Sequence, residues 1–312
     1  MIGYLAWENE PVGIPAFRSI AIIDGMIHAS QVASCIADLY ARFEALFGEA
    51  ANETSYNFPG YTGKIRRATP RLLEAARAFL EKDGETASGA GLRRYGHALS
   101  DYPHPGLPFF GVEQRHDLFF LEAALPQEGD EWADFGEAMN AALKAMPTIS
   151  AVMGKGMFVP PHHSSLNFLP VMGVDQRRAA LGTNADMAQE ALRREGSSHR
   201  WKEGEEPGII DIGWRTYIGP DYWDRAEPGL ASLAEEPGVT IERTEDLLII
   251  TAGEEPIWGL PEEEDALRPY SAVARALKPI RQPLSAARAF WFGGGVIEDH
   301  DTLVADYLTR LD

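Results

Sequence analysis

Apolar residues recur along this chain with two periods, and each period predicts an element. Val32, Ile36, Leu39, Phe43, Leu46 and Phe47 return every three or four positions, so residues 30–47 are expected to form a helix with one buried stripe. Ser30 is the expected cap of that helix. Thr69-Pro70 is a cap followed by a first-turn proline, and it opens a second helix to about Lys82 with Leu72, Leu73, Ala76, Phe79 and Leu80 inward. A third helix runs from Gly129-Asp130 to Pro147, burying Trp132, Phe135, Met139, Leu143 and Met146. Three runs, Phe17–Asp24, Asp117–Leu125 and Thr148–Met153, are short, β-branched or aromatic, and predict strands. Asn52–Lys64 and Asp83–Pro108 are rich in Gly, Pro and polar residues and are expected as loops, the second also as a lobe boundary.

The second half is less regular. Gly156–Val159 and Ser165–Leu169 are short strand candidates, and Asp175–Glu195 predicts one or two helical pieces. In Ile209–Gly219, Ile210, Ile212, Trp214, Thr216 and Ile218 alternate with Asp211, Gly213, Arg215 and Tyr217, the signature of a half-buried strand. A short helix is expected around Tyr222–Ala226. Val239–Arg243 and Leu247–Ala252, split by Thr244-Glu245-Asp246, predict a hairpin. Tyr270, Val273, Ala274 and Leu277 mark one helical face, with Pro269 in the first turn and Pro279 ending the helix. A last helix is expected from Asp301 to Leu311. The class that follows is α+β, with mixed β-sheet(s) flanked by helices, in one large domain or two closely packed lobes. The lobes are expected at 1–155 and 156–312.

Charge narrows the function. The 312 residues carry a formal charge of −19 and a pI near 4.8. Residues 200–265 hold 18 acidic and 5 basic side chains, a net of −13. Such a field repels nucleic acid and anionic membranes and draws in basic proteins. Its densest runs are Glu203, Glu205 and Glu206, then Glu254 and Glu255, then Glu262, Glu263, Glu264 and Asp265. These nine are the candidate partner-binding residues. The last run also precedes a helix, where acids favour the positive end of the dipole.

Catalytic patterns are missing. The one cysteine, Cys35, lies inside a helical pattern and is expected to be a buried, inert thiol. His162-His163 sits in a proline-bounded loop without HxH, HxxxH or HExxH spacing. His97, His104, His116 and His300 are scattered, and no GxSxG occurs. Gly293-Gly294-Gly295 is followed by neither a lysine nor a phosphate-loop pattern. No catalytic residue, metal or cofactor is therefore expected. A metal-dependent hydrolase using His162, His163 and nearby acids is the enzyme alternative. No apolar run of about 18 residues occurs, so a cytoplasmic setting is expected.

Four segments together resemble a known family. Trp214, Tyr217, Ile218 and Gly219 resemble its strand pattern, and Ile249–Gly259 its strand, Ala-Gly, acid, Pro, Gly segment. Tyr270, Val273, Ala274, Arg275, Leu277, Pro279, Ile280 and Arg281 resemble its Pro-x-Tyr, Val-Ala-Arg, Leu, Pro-Ile-Arg signature. Tyr307–Asp312 resembles its closing helix, with Tyr307 where Trp is common and Leu311 where Phe is common. The family is the type VI secretion immunity proteins, similar to antidotes of VRR-NUC-type nuclease effectors and neighbouring those of Tox-REase-type nucleases. The match is best over 209–312. It implies a non-catalytic protein that binds a basic nuclease effector and silences it. An acidic adaptor for another basic partner is the alternative.

Overall fold

The computed structural model describes residues 2–7, 10–61, 63–96, 106–161, 166, 169–192, 206–209, 211–281 and 300–312. The class is α+β, as expected. Two compact units divide it, one of residues 19–148 and one of residues 1–18 with 149–312. The sequence placed the division after residue 155 and left the first residues with the N-terminal lobe. β1 (Leu5–Trp7) folds back antiparallel on β2 (Glu10–Asp24).

In the 19–148 unit, α1 (Ser30–Phe47) buries Val32, Ile36, Leu39, Phe43 and Phe47 on the predicted stripe. Its cap position is Ala29, without a side-chain bond, so Ser30 is the first helical residue and not the cap. Cys35 is half-buried there, more open than expected. The expected loop at 52–64 contains β3 (Glu53–Asn57), which pairs with the two-residue β4 (Arg66–Arg67). Thr69 caps α2 (Pro70–Leu80), its side chain accepting from Leu72 N–H, as predicted. The second expected loop holds β5 (Gly91–Gly96) and the start of β6 (Gly106–Arg115). Both were hidden by glycine and proline, yet both are buried on two faces, where alternation disappears. β7 (Leu118–Leu125) follows, then α3 (Glu131–Ala145). The strand order is β2-β7-β6-β5-β3-β4. Phe43 lies 5.4 Å from Phe110 and 5.9 Å from Phe135, ring centre to ring centre, which joins α1, β6 and α3. Each such ring contributes about 1.5–3 kcal/mol by leaving water. Arg94 is wholly buried and pairs with Glu44 and with the Tyr40 hydroxyl.

In the other unit, β8 (Thr148–Phe158) merges the two strands expected at 148–153 and 156–159. α4 (Ala185–Ala191) is the helical piece of 175–195. β9 is only Arg215–Ile218. The expected alternation fails, because Thr216, Tyr217 and Ile218 are all buried. α5 (Trp223–Leu233) leads to the predicted hairpin, β10 (Val239–Arg243) and β11 (Leu248–Ala252). α6 (Glu264–Ala276) and α7 (His300–Thr309) complete the unit. The order is β10-β11-β9-β8-β2, with β10, β11, β9 and β8 antiparallel in turn. Two isolated bridges, Gly156 with Leu181 and Ile209 with Arg281, are parallel.

Candidate partner-binding site

Two of the three acidic runs, Glu254-Glu255 and Glu262–Asp265, lie between the end of β11 and the first turn of α6. β11 is followed by Gly253, whose φ of 84° turns the chain where a side chain would be strained. Gly253 N–H donates to Gly238 O at 2.7 Å, and its carbonyl accepts from the Trp214 indole at 3.2 Å. That fixed turn presents Glu254 and Glu255 to solvent. The chain then dives inward. Ile257 N–H donates to the buried Tyr270 hydroxyl at 3.3 Å, and Trp258 packs with Met157 and Ala180. Arg178 and Ala179 N–H donate to Gly259 and Trp258 carbonyls, both at 3.0 Å. Gly259 has φ of 73°, and a Cβ there would stand 2.4 Å from Ala179 N, so the close approach requires glycine.

A short 3₁₀ turn, Pro261–Glu263, then starts α6. Glu263 Oε2 accepts from three backbone N–H groups, Trp258 at 3.1 Å, Gly259 at 2.7 Å and Leu260 at 2.9 Å. One carboxylate thus ties the loop to the helix it precedes. Such charge-assisted bonds are stronger than neutral ones. α6 begins a turn earlier than the apolar stripe suggested, which puts Pro269 inside it instead of in its first turn. The missing Pro269 N–H falls opposite the Asp265 carbonyl, one turn back.

The nine candidate acids are not equivalent. Glu203 and Glu205 lie outside the described residues. Glu206 pairs with Arg225 at 3.2 Å, and Arg225 also donates to the Pro207 carbonyl at 2.5 Å. Glu263 holds the loop. Glu264 is 3.7 Å from Arg178 and largely exposed, a contact worth at most about 1 kcal/mol. Glu254, Glu255, Glu262 and Asp265 are exposed and form no ion pair among the described residues. Those four are the free negative charge of the segment, held on a backbone that its own hydrogen bonds fix.

A buried polar cluster that the sequence did not reveal anchors the chain's end against this unit. Asp211 pairs with Arg310 at 2.8 Å. It also accepts from the Tyr307 hydroxyl, from Thr183 Oγ1 at 3.1 Å and from Ile212 N–H at 2.8 Å. Gly182 N–H donates to the Tyr307 oxygen at 2.6 Å. Burial, with the Asp211 charge beside it, pushes the Tyr307 hydroxyl well above the ordinary tyrosine range. Arg281 pairs with Asp312 and donates to the Leu308 carbonyl. Asp211 looked like a solvent-facing strand residue. Its sole sequence signal was an acid amid isoleucines, and its partner lies 99 positions away.

Most of the residues behind the family resemblance are packing residues. Tyr217, Ile218, Val273, Ala274, Leu277 and Ile280 are all fully buried. Arg275 is exposed. Among the described residues no group of three or more His, Cys, Asp or Glu could hold a metal ion. His162 and His163, like Gly293-Gly294-Gly295, lie outside the described residues. A cleft of about 460 Å³ beside α7 brings Asp175, Arg178 and Asp306 together without a nucleophile paired to a base. No described helix is long and apolar enough to cross a membrane.

No protein-family model matches the chain, and no curated protein matches its sequence significantly. Among solved structures, the Pseudomonas aeruginosa T6SS protein PA0821 is similar with a TM-score of 0.73 and 17% identity, over 99% of this chain and 87% of that one. The two share a fold. The toxic C-terminal tip of CdiA from Pseudomonas aeruginosa in complex with an immune protein aligns with a TM-score of 0.25 and 10% identity, over 49% of this chain and 91% of that one. A score that low carries no structural argument.

Proposed function

We propose that this protein is a non-catalytic immunity protein, which binds a cation-rich toxic nuclease and neutralises it through its acidic surface. The observation that carries the reading is the set of four exposed, unpaired carboxylates, Glu254, Glu255, Glu262 and Asp265, on a loop and helix start fixed by internal hydrogen bonds. A nuclease presents Lys and Arg to phosphate. A rigid array of carboxylates competes for the same groups without paying the ordering cost of a flexible one. The surrounding negative field speeds encounter. The fold shared with a T6SS protein supports a secretion-system context, and the residues resembling the immunity family support the same direction.

Co-expression tests it. The protein encoded beside this chain's gene is produced with and without this chain in a bacterial host. The reading expects growth arrest relieved by this chain and a 1:1 complex on purification. A neighbour that is harmless alone, or a toxin that this chain neither binds nor silences, overturns it.

A further inference from the structure

β10 ends the strand order β10-β11-β9-β8-β2, so one side of it has no neighbouring strand among the described residues. The register fixes which backbone groups face that side. Gly253 N–H donates to Gly238 O, and Thr244 N–H to Leu247 O. The pairs Thr240 with Thr251 and Glu242 with Ile249 fall in the same phase. Hydrogen-bonded and non-bonded pairs alternate along an antiparallel ladder. Val239, Ile241 and Arg243 therefore turn their N–H and C=O away from β11. Val239 N–H is taken by the Glu236 carbonyl at 3.2 Å. The outward amides that remain are those of Ile241 and Arg243. The strand that ends the order in the other unit, β4, has two residues and offers no comparable length.

Charge decides what fits. Glu235, Glu242, Glu245 and Asp246 are exposed on and beside the strand. The nearby cations are engaged: Arg243 with Glu227 and Arg268 with Glu236, both at 2.7 Å. A second copy fits poorly. An antiparallel self-pair centred on Ile241 would bring Asp246 toward the second copy's Glu236, and like charges opposite one another destabilise a strand pair. The same acids attract a cationic strand. We infer that an extended, lysine- or arginine-bearing segment of the bound toxin adds to β10 as a further strand. Main-chain bonds to Ile241 and Arg243 would supply affinity, and the flanking acids register and selectivity. This rests on the toxin-binding reading above.

The test is a pair of variants. Ile241→Pro removes an outward N–H, and proline is tolerated at such an edge position because no ladder bond is lost. Ile241→Ala trims the side chain and keeps the N–H. Binding is measured against the purified protein encoded beside this chain's gene, together with amide hydrogen exchange of the wild-type chain, free and bound. The inference expects I241A to bind within about threefold of wild type and I241P to lose about tenfold or more, the scale of one lost hydrogen bond. It also expects the Ile241 and Arg243 amides to become protected in the complex. Unchanged binding by I241P, or both amides exchanging freely in the complex, overturns the strand addition and leaves toxin binding intact. If I241P does not fold, the exchange result on the wild-type chain decides. A wild-type chain that binds nothing overturns the toxin-binding reading, and this inference falls with it.

Discussion

Arg310 and Asp211, 99 positions apart, meet at 2.8 Å with side chains only 3% and 5% exposed. The guanidinium also donates to the Arg178, Tyr307 and Ile212 carbonyls, so its N–H groups are used on all sides. Removing one partner of a buried pair strands the other charge, which costs about 3–5 kcal/mol. Arg310→Met is therefore expected to lower the unfolding free energy by that amount in urea titrations. The double variant Arg310→Met with Asp211→Leu is expected to lose clearly less than the sum of the two single changes. Additive losses would mean that the two side chains are not coupled.

Glu263 gives a second stability prediction. Its Oε2 accepts three backbone N–H bonds at a half-buried site. Glu263→Ala leaves those donors without an acceptor and is expected to cost about 2–3 kcal/mol. Glu263→Gln keeps an acceptor and is expected to cost less. Thermal unfolding orders the three proteins, and equal melting of wild type and E263A would show that water replaces the carboxylate without loss.

His28 predicts a pH dependence. Its ring is buried and meets Phe79 edge-on at 4.7 Å. Burial holds its pKa below the ordinary 6.5. As pH falls, the unfolded chain takes up this proton before the folded one does. The stabilisation is present in full above pH 6.5 and is lost as pH falls from there through the folded value. One such proton gives a slope of at most about 1.4 kcal/mol per pH unit. His28→Phe removes the titration, so its stability relative to wild type is expected to rise between about pH 6.5 and about pH 5. A difference that stays constant across that range would contradict the assignment.

The sequence exposed what repeats locally. The stripes of α1, α2 and α3, the Thr69 cap and the β10–β11 hairpin each follow from spacing within a few residues. β3, β5 and β6 stayed hidden because their burial is set by neighbours far along the chain, while β9 was expected as a strand but is shorter and covered on both faces. Of the site, the acidic runs were legible as composition. What distinguishes Glu263 and Glu206 from Glu254, Glu255, Glu262 and Asp265 was not, since it depends on three amides and on Arg225 being folded against them.

The free carboxylates make a prediction that stability does not share. Reversing Glu262 and Asp265 to lysine changes exposed side chains at the start of α6, where the lost dipole interaction costs only about 0.3–1 kcal/mol for each. The effect is expected in association instead, where charge sets the encounter rate. Dissociation is expected to change less.

The most direct measurement is the association rate of this chain with the protein encoded beside its gene, as a function of ionic strength, for wild type and for the variant with Glu254, Glu255, Glu262 and Asp265 all changed to lysine. The account predicts a wild-type rate that falls roughly tenfold or more between about 0.02 M and about 0.5 M salt, and a variant that is slower at low salt and nearly insensitive to it. A wild-type rate independent of salt, or a variant indistinguishable from wild type, would contradict it.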